Sequence, residues 1–256
     1  MAAGPGSSGS PTGSPNPGSS ARTAVIWDVL SAVVSAGPAP LQVVDAGGGT
    51  GGFAVPLAEA GCSVTVVDPS PDSLAALSRR AAERGLEDRV RGVQGDLDDL
   101  PDLVAAGSAD LVLCHSVLQV VDDPAAALAA VAGVLRAGGR LSLLVGNRDA
   151  VVLARALAGR PDEAAHALSD PAGRWGAGDG VPRRWTLDEL TSLVGAAGFV
   201  VEQLHGIRVV ADLIPSAALE LEPGAPAALL ALERSLADRP PFRDLATALH
   251  VLAARR

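Results

Sequence analysis

The run Val43-Val44-Asp45-Ala46-Gly47-Gly48-Gly49-Thr50-Gly51-Gly52 holds the residues best suited to grip a ligand through the main chain. Glycine lets the backbone turn tightly and approach a bound molecule at distances that a Cβ would block. Gly47, Gly49 and Gly52 satisfy the G-x-G-x-x-G spacing of dinucleotide sites, while Gly47, Gly49 and Gly51 satisfy G-x-G-x-G, so the run alone leaves both ligands open. Asp68 follows about 20 residues later, at the end of a β-rich run, where its carboxylate can take both hydroxyls of a ribose. Gly95-Asp96-Leu97 follows a third extended run. Asp68 and Asp96 also have a plainer reading as helix caps.

Composition removes several chemistries. All 20 positive residues are arginines and the tyrosine count is 0. A phosphate loop ending in Gly-Lys-Ser/Thr, a lysine Schiff base and a Tyr/Lys proton-transfer pair are therefore impossible. The 2 cysteines, Cys62 and Cys114, make no disulfide framework and no cysteine-rich zinc site, so a reducing compartment is expected. The 4 histidines are scattered and form no His-Glu-x-x-His run, so no protein-held metal is expected. No apolar run is long enough to span a bilayer, and the start of the chain lacks the basic and apolar regions of a signal peptide, which points to the cytoplasm. The formal charge of -9 opposes broad nucleic-acid affinity, because backbone binding needs clustered cations.

The elements that must position these residues alternate. Residues 1–20 are Gly, Pro and Ser with little to bury, and read as a disordered tail. Helical spacing over 22–35 leads to strand 41–44, and helix 53–60 to strand 63–67. Helix 71–84 leads to strand 89–93 and strand 109–114. Helix 124–135 is expected to end on a glycine C-cap at Gly138-Gly139 before strand 140–145. Later come helix 150–158, a Gly/Pro-rich stretch at 170–182, helix 187–196, strand 199–204, a helical excursion over 209–239 and a strand at 246–253. Short apolar runs alternating with amphipathic helices predict an α/β fold, a doubly wound, mostly parallel seven-stranded sheet covered on both faces. One domain over 21–256 is expected, with cap elements around 147–184 and 209–242.

In order and spacing these pieces resemble the class I S-adenosylmethionine-dependent methyltransferases. The acidic Asp45 stands two places before the first glycine, where nicotinamide enzymes more often carry an apolar residue. Asp68 ends the second strand, Asp96 follows the third, and Val134-Leu135-Arg136-Ala137-Gly138-Gly139-Arg140-Leu141 is similar to their helix–turn–strand run. Within that class the chain resembles the tRNA 5-carboxymethoxyuridine methyltransferases, which esterify the carboxylate of a modified wobble uridine. The pieces are Arg22-Thr23-Ala24-Val25-Ile26-Trp27, Asp45-Ala46-Gly47-Gly48-Gly49, His115-Ser116-Val117-Leu118-Gln119 with Asp123-Pro124, Gly206-Ile207-Arg208-Val209 and Leu249-His250-Val251-Leu252-Ala253.

The resemblance implies S-adenosylmethionine as cofactor. Arg22 would bind its methionine carboxylate, Asp45 and Gly47 to Gly49 the methionyl chain, Asp68 the ribose, and Asp96 with Leu97 the adenine. His115 is expected to touch cofactor or substrate rather than serve as a base, Trp27 to pack, and His250 to be structural. A carboxylate acceptor needs a cation to place it. Arg148, Arg183, Arg184 and Arg208 lie in or beside the cap, with Arg148 and Arg208 taken as substrate-binding and Arg183 and Arg184 as surface residues. The acceptor would be tRNA, with a small-molecule acid or natural product as the alternative.

Overall fold

The computed structural model describes residues 20–215 and 222–256. The tail expected over 1–20 therefore lies outside the described residues except for Ser20, as do residues 216–221 of the helical excursion. The first half runs α1 (Ala24–Ala36), β1 (Gln42–Ala46), α2 (Ala54–Glu59), β2 (Ser63–Asp68), α3 (Pro71–Ala82), β3 (Val90–Gln94), α4 (Leu100–Leu103) and β4 (Ala109–His115). The second runs α5 (Pro124–Val134), β5 (Leu135–Gly146), α6 (Arg148–Leu157), α7 (Pro161–Ser169), α8 (Leu187–Ala196), β6 (Phe199–Ile207), α9 (Ala225–Leu236) and β7 (Ala248–Arg255).

The strands form one seven-stranded sheet in the order β3-β2-β1-β4-β5-β7-β6. β1, β2, β3, β4 and β5 are mutually parallel, while β7 runs antiparallel between β5 and β6. The middle strands carry unbroken apolar runs because both faces are covered, as at Leu111-Val112-Leu113-Cys114 in β4. Ile26 and Leu30 of α1, Leu57 of α2 and Leu77 of α3 fill one face; Leu128 and Val131 of α5 with Leu190 and Val194 of α8 fill the other.

Local signals explain where the helices start. Ser70 accepts from the Ser73 N–H with Pro71 next in line, and Asp123 accepts from Ala125 and Ala126 ahead of α5. Thr186 and Glu189 form a reciprocal capping box on α8. The sheet reverses direction of winding between β1 and β4, so the loops after these two strands bound a crevice at their carboxyl ends.

Two expectations are corrected. α5 ends at Val134, and Gly138 (φ 70°) sits inside β5 rather than capping the helix. Buried Leu135 takes extended backbone at once and pairs with Ala109, and the glycines absorb the register shift before Arg140 pairs with Leu111. α7 was not expected, yet its start carries Pro161 at the first turn followed by Asp162 and Glu163, a favourable N-terminal pattern.

Candidate functional site

The glycine turn after β1 is held between two acidic residues. Gly47 (φ 70°) donates its N–H to Val67 O at 2.7 Å, and a Cβ there would run into Val117. Gly49 (φ 56°) donates to Asp68 Oδ2 at 2.9 Å, and the other oxygen of Asp68 accepts from the Ser70 N–H at 2.9 Å. The Asp45 side chain folds directly beneath Gly48, so a Cβ at 48 would strike its carboxylate. Asp45 is 2% exposed, and its Oδ2 is buried with no hydrogen-bond partner. Burial first, and then the charge of Asp68, pushes its carboxyl up to about 7. An orphaned acceptor under a main-chain cradle fits a cationic ligand bearing a diol, and S-adenosylmethionine carries both features.

Asp96 is exposed and caps a short 3-10 turn at Leu97–Asp99, accepting from Leu97 N–H at 2.7 Å, while the Leu97 side chain is buried. The plainer reading of Asp96 as a cap therefore describes its contacts among the described residues. His115 ends β4 beside the turn, edge-on to Phe53 with ring centroids 4.7 Å apart. Its Nε2 pairs with Ser142 Oγ at 2.9 Å and its Nδ1 is buried without a partner. Burial pulls its imidazole down to about 3, so the ring is neutral at physiological pH. Ser142 Oγ also meets His250 Nε2 at 2.8 Å, and both of these residues are fully buried within the sheet. Trp27 stacks on Phe53 at 5.0 Å, a packing position. Burial pushes the Cys114 thiol up to about 12, which removes it as a nucleophile.

Next to this turn the ends of β4, β5, β6 and β7 enclose a pocket of about 340 Å3 in which Arg22, Arg184 and Arg208 converge with Ser116 and Gln119. Arg22 is exposed and, among the described residues, meets no carboxylate. Arg208 pairs with Asp212 through one 3.2 Å contact. Ser116 (φ 62°) and Arg208 (φ 60°) are the two non-glycine residues with positive φ among the described residues, and both line this pocket. Such conformations cost free energy and cluster where a ligand must be met. The turn that holds Arg208 is clamped by Glu233 of α9, which is 0% exposed and accepts from the N–H groups of Val209, Val210 and Ala211 at 2.8, 2.8 and 2.7 Å. No local signal in the sequence links position 233 to 209–211.

The cap arginines separate into different roles. Arg148 is 8% exposed; it donates to Glu189 at 2.9 Å and to Pro171 O at 2.8 Å, and lines a separate cavity with Trp185. It does not line the pocket of Arg208; its two terminal nitrogens anchor Glu189 and the loop at 171, while its Nε is buried without a partner. Arg184 is no surface residue: it is 9% exposed and grips Asp179 through two bonds of 2.6 and 2.9 Å. Arg155 and Arg160 both pair with Glu163. Arg183 and Arg174 make no ion pair among the described residues. Among the described residues no cluster of His, Cys, Asp or Glu could hold a metal, and no helix is long and apolar enough to cross a membrane.

Residues 44–143 match a family model described as a methyltransferase domain. Over 235 residues the chain is 29% identical to the tRNA 5-carboxymethoxyuridine methyltransferase of Escherichia coli O157:H7, covering 91% of this chain and 88% of that protein. It is 34% identical over 124 residues to the ubiquinone biosynthesis O-methyltransferase of Xanthomonas axonopodis pv. citri (strain 306), covering 48% of this chain and 50% of that relative. Among solved structures, an S-adenosylmethionine-dependent methyltransferase from Mesorhizobium loti superposes with a TM-score of 0.60 at 24% identity, covering 90% of this chain and 98% of that one. Geranyl diphosphate methyltransferase in complex with GPP and sinefungin superposes with a TM-score of 0.61 at 19% identity, covering 91% and 79%.

Proposed function

We propose that this chain, a class I S-adenosylmethionine-dependent methyltransferase, methylates a carboxylate, and that its acceptor is the 5-carboxymethoxy group of a wobble uridine in tRNA, in the cytoplasm. One observation carries the choice of a carboxylate. Among the described residues the pocket beside the glycine turn is lined by three arginines and by no Asp, Glu, His or Cys. The carboxylate beside it, Asp212, is paired with Arg208 at 3.2 Å, so an acceptor that must lose a proton, such as a phenol or an amine, would find no base in the pocket lining itself. A carboxylate is already ionised at neutral pH and needs a cation to place it. The likeness over nearly the whole chain to a tRNA 5-carboxymethoxyuridine methyltransferase supports tRNA as the carrier of that group.

When bound, S-adenosylmethionine supplies a methyl group activated by positive sulfur. Asp68, already oriented by Gly49 and Ser70, would take the ribose hydroxyls with its remaining lone pairs. Gly47 to Gly49 would give the methionyl chain a close approach to the backbone, with Asp45 beneath Gly48, and Arg22 would take the methionine carboxylate. Asp96 and Leu97 would border the adenine, and His115 would touch the ligand edge as a neutral ring. Arg208, held by Glu233, would orient the acceptor carboxylate in line with the methyl group, so the protein contributes chiefly positioning and exclusion of water.

A second reading, methylation of a small acid free of RNA, is favoured by the electrostatics. The chain carries a formal charge of -9, and Arg148, Arg155, Arg160 and Arg184 of the cap are each paired with a carboxylate, which leaves little basic surface for a polynucleotide. Incubation with labelled cofactor separates the two. Label entering tRNA that bears the carboxymethoxy group, and not tRNA lacking it, supports the first; label confined to RNA-free metabolites supports the second.

A further inference from the structure

We propose that a cavity adjoining the arginine pocket admits the apolar body of a further acceptor class, small carboxylic acids carrying an alkyl or aryl chain, with their carboxylate on Arg208. The cavity holds about 460 Å3 and lies between α6 and the turn after β6. It shares Arg184 and Thr247 with the arginine pocket, so the two form one cleft with a charged end and an apolar end. Val151, Leu153, Leu213, Phe242 and Leu245 form the apolar wall. Leu213 is 57% and Phe242 47% exposed, a local concentration of large apolar side chains facing solvent that calls for an occupant.

Two of the polar side chains on that wall, Asn147 and Arg184, are engaged within the protein, and Asp212 shares one contact with Arg208. Asn147 donates to Asp244 O and Ala246 O, both at 2.8 Å, and accepts from Asp149 N–H at 3.0 Å. Arg184 is bound to Asp179, and Asp212 to Arg208. A nucleobase would bring edge donors and acceptors that find few partners there, and would bury them at a cost. An alkyl or aryl chain brings none. The charged end then decides orientation: Arg208, with a single contact to Asp212, retains donors for an entering carboxylate. In the reaction an acid oxygen forms the O–CH3 bond as the S–CH3 bond of S-adenosylmethionine breaks, its electron pair going to sulfur, with no proton released.

The test uses the full-length enzyme, labelled S-adenosylmethionine and straight-chain acids from acetate to decanoate, with 5-carboxymethoxyuridine-bearing tRNA as a separate arm. Methyl ester formation should rise roughly three- to fourfold per added methylene until the cavity is filled. Leu213→Asp and Phe242→Ser should flatten that dependence while cofactor affinity, measured by calorimetry, is unchanged and reports a folded site. A chain-length dependence that survives both substitutions, or no ester from any acid by an enzyme that binds the cofactor, overturns the proposal. The tRNA arm fails or succeeds separately, so a negative there removes the tRNA acceptor and leaves this inference standing or falling on the acid series alone.

Discussion

The main-chain N–H of Gly49 points at the carboxylate of Asp68 across 2.9 Å, so the ribose-binding candidate at the end of β2 is also the strut that shapes the glycine turn after β1. Two consequences follow from this single bond: the acid is held in one orientation before any ligand arrives, and its removal harms the turn as well as the diol contact.

Asp68→Ala should weaken S-adenosylmethionine binding by about 1–3 kcal/mol, the usual cost of deleting a charged hydrogen-bonding group from such a site. Asp68→Asn, which keeps one acceptor for the Gly49 or Ser70 N–H, should lose less. Titration calorimetry on both variants checks this; equal affinity in wild type and Asp68→Ala would remove the residue from the site.

Asp45 supplies a pH test. Its carboxyl is raised from 3.8 to about 7 by burial and by Asp68, so between those values the folded chain keeps a proton that the unfolded chain has lost. Folding stability from this group therefore falls as pH rises from about 4 to 7. Asp45→Asn should leave the melting temperature unchanged near pH 4 and raise it progressively toward pH 7. The same substitution should abolish a rise in cofactor affinity across pH 7, because a cationic ligand favours the ionised acid. Thermal melts and calorimetry over that range read both.

Arg208 and Glu233 should fail together in acceptor use. Arg208→Ala removes the cation, and Glu233→Gln leaves at least one N–H of Val209, Val210 or Ala211 without its carboxylate oxygen, at about 1–3 kcal/mol for each buried orphan. Both variants should raise the KM for the acid acceptor by tenfold or more while the Kd for S-adenosylmethionine stays near wild type. If the cofactor Kd suffers more than the acceptor KM, Arg208 belongs to the cofactor end.

Asp179 and Arg184 form a buried pair that staples the loop before α8 to itself, five residues apart. Burial alone would raise the Asp179 carboxyl, but bonds from Arg184 and from the N–H groups of Trp175 and Val181 outweigh it and hold the group at about 2. Its contribution is complete above the ordinary carboxylate value and is lost as pH falls toward 2. Asp179→Asn strands a buried guanidinium and should cost about 3–5 kcal/mol at neutral pH. Urea unfolding at pH 7 measures this, and the difference between variant and wild type should shrink as the pH is lowered toward 2.

Much of the framework was legible because its causes are local. The β1 run, the glycines behind it, Asp68 at the close of β2 and the Thr186–Glu189 box on α8 are each set by residues within a few positions of one another. α7 is short and buries only Ala164 and Ala167, too little apolar surface to stand out in the sequence, and the end of α5 differs because burial of Leu135 in the sheet outweighs the glycine signal that follows. The arginines were harder. Arg148 and Arg184 look alike in sequence to Arg208, yet Glu189 and Asp179 draw the first two inward, while Glu233 holds the turn bearing the third.

The sequence by itself determined the order of the strands along the chain, the presence of a glycine run after β1 and the absence of lysine and tyrosine from any mechanism, since residue type and short-range spacing suffice for these. Only the tertiary structure decided which guanidiniums share a pocket, that no base lines it among the described residues, and that an apolar cavity opens beside it. Arg22 and Arg208 stand far apart along the chain, and their meeting depends on β7 inserting between β5 and β6, a long-range pairing that no local pattern encodes.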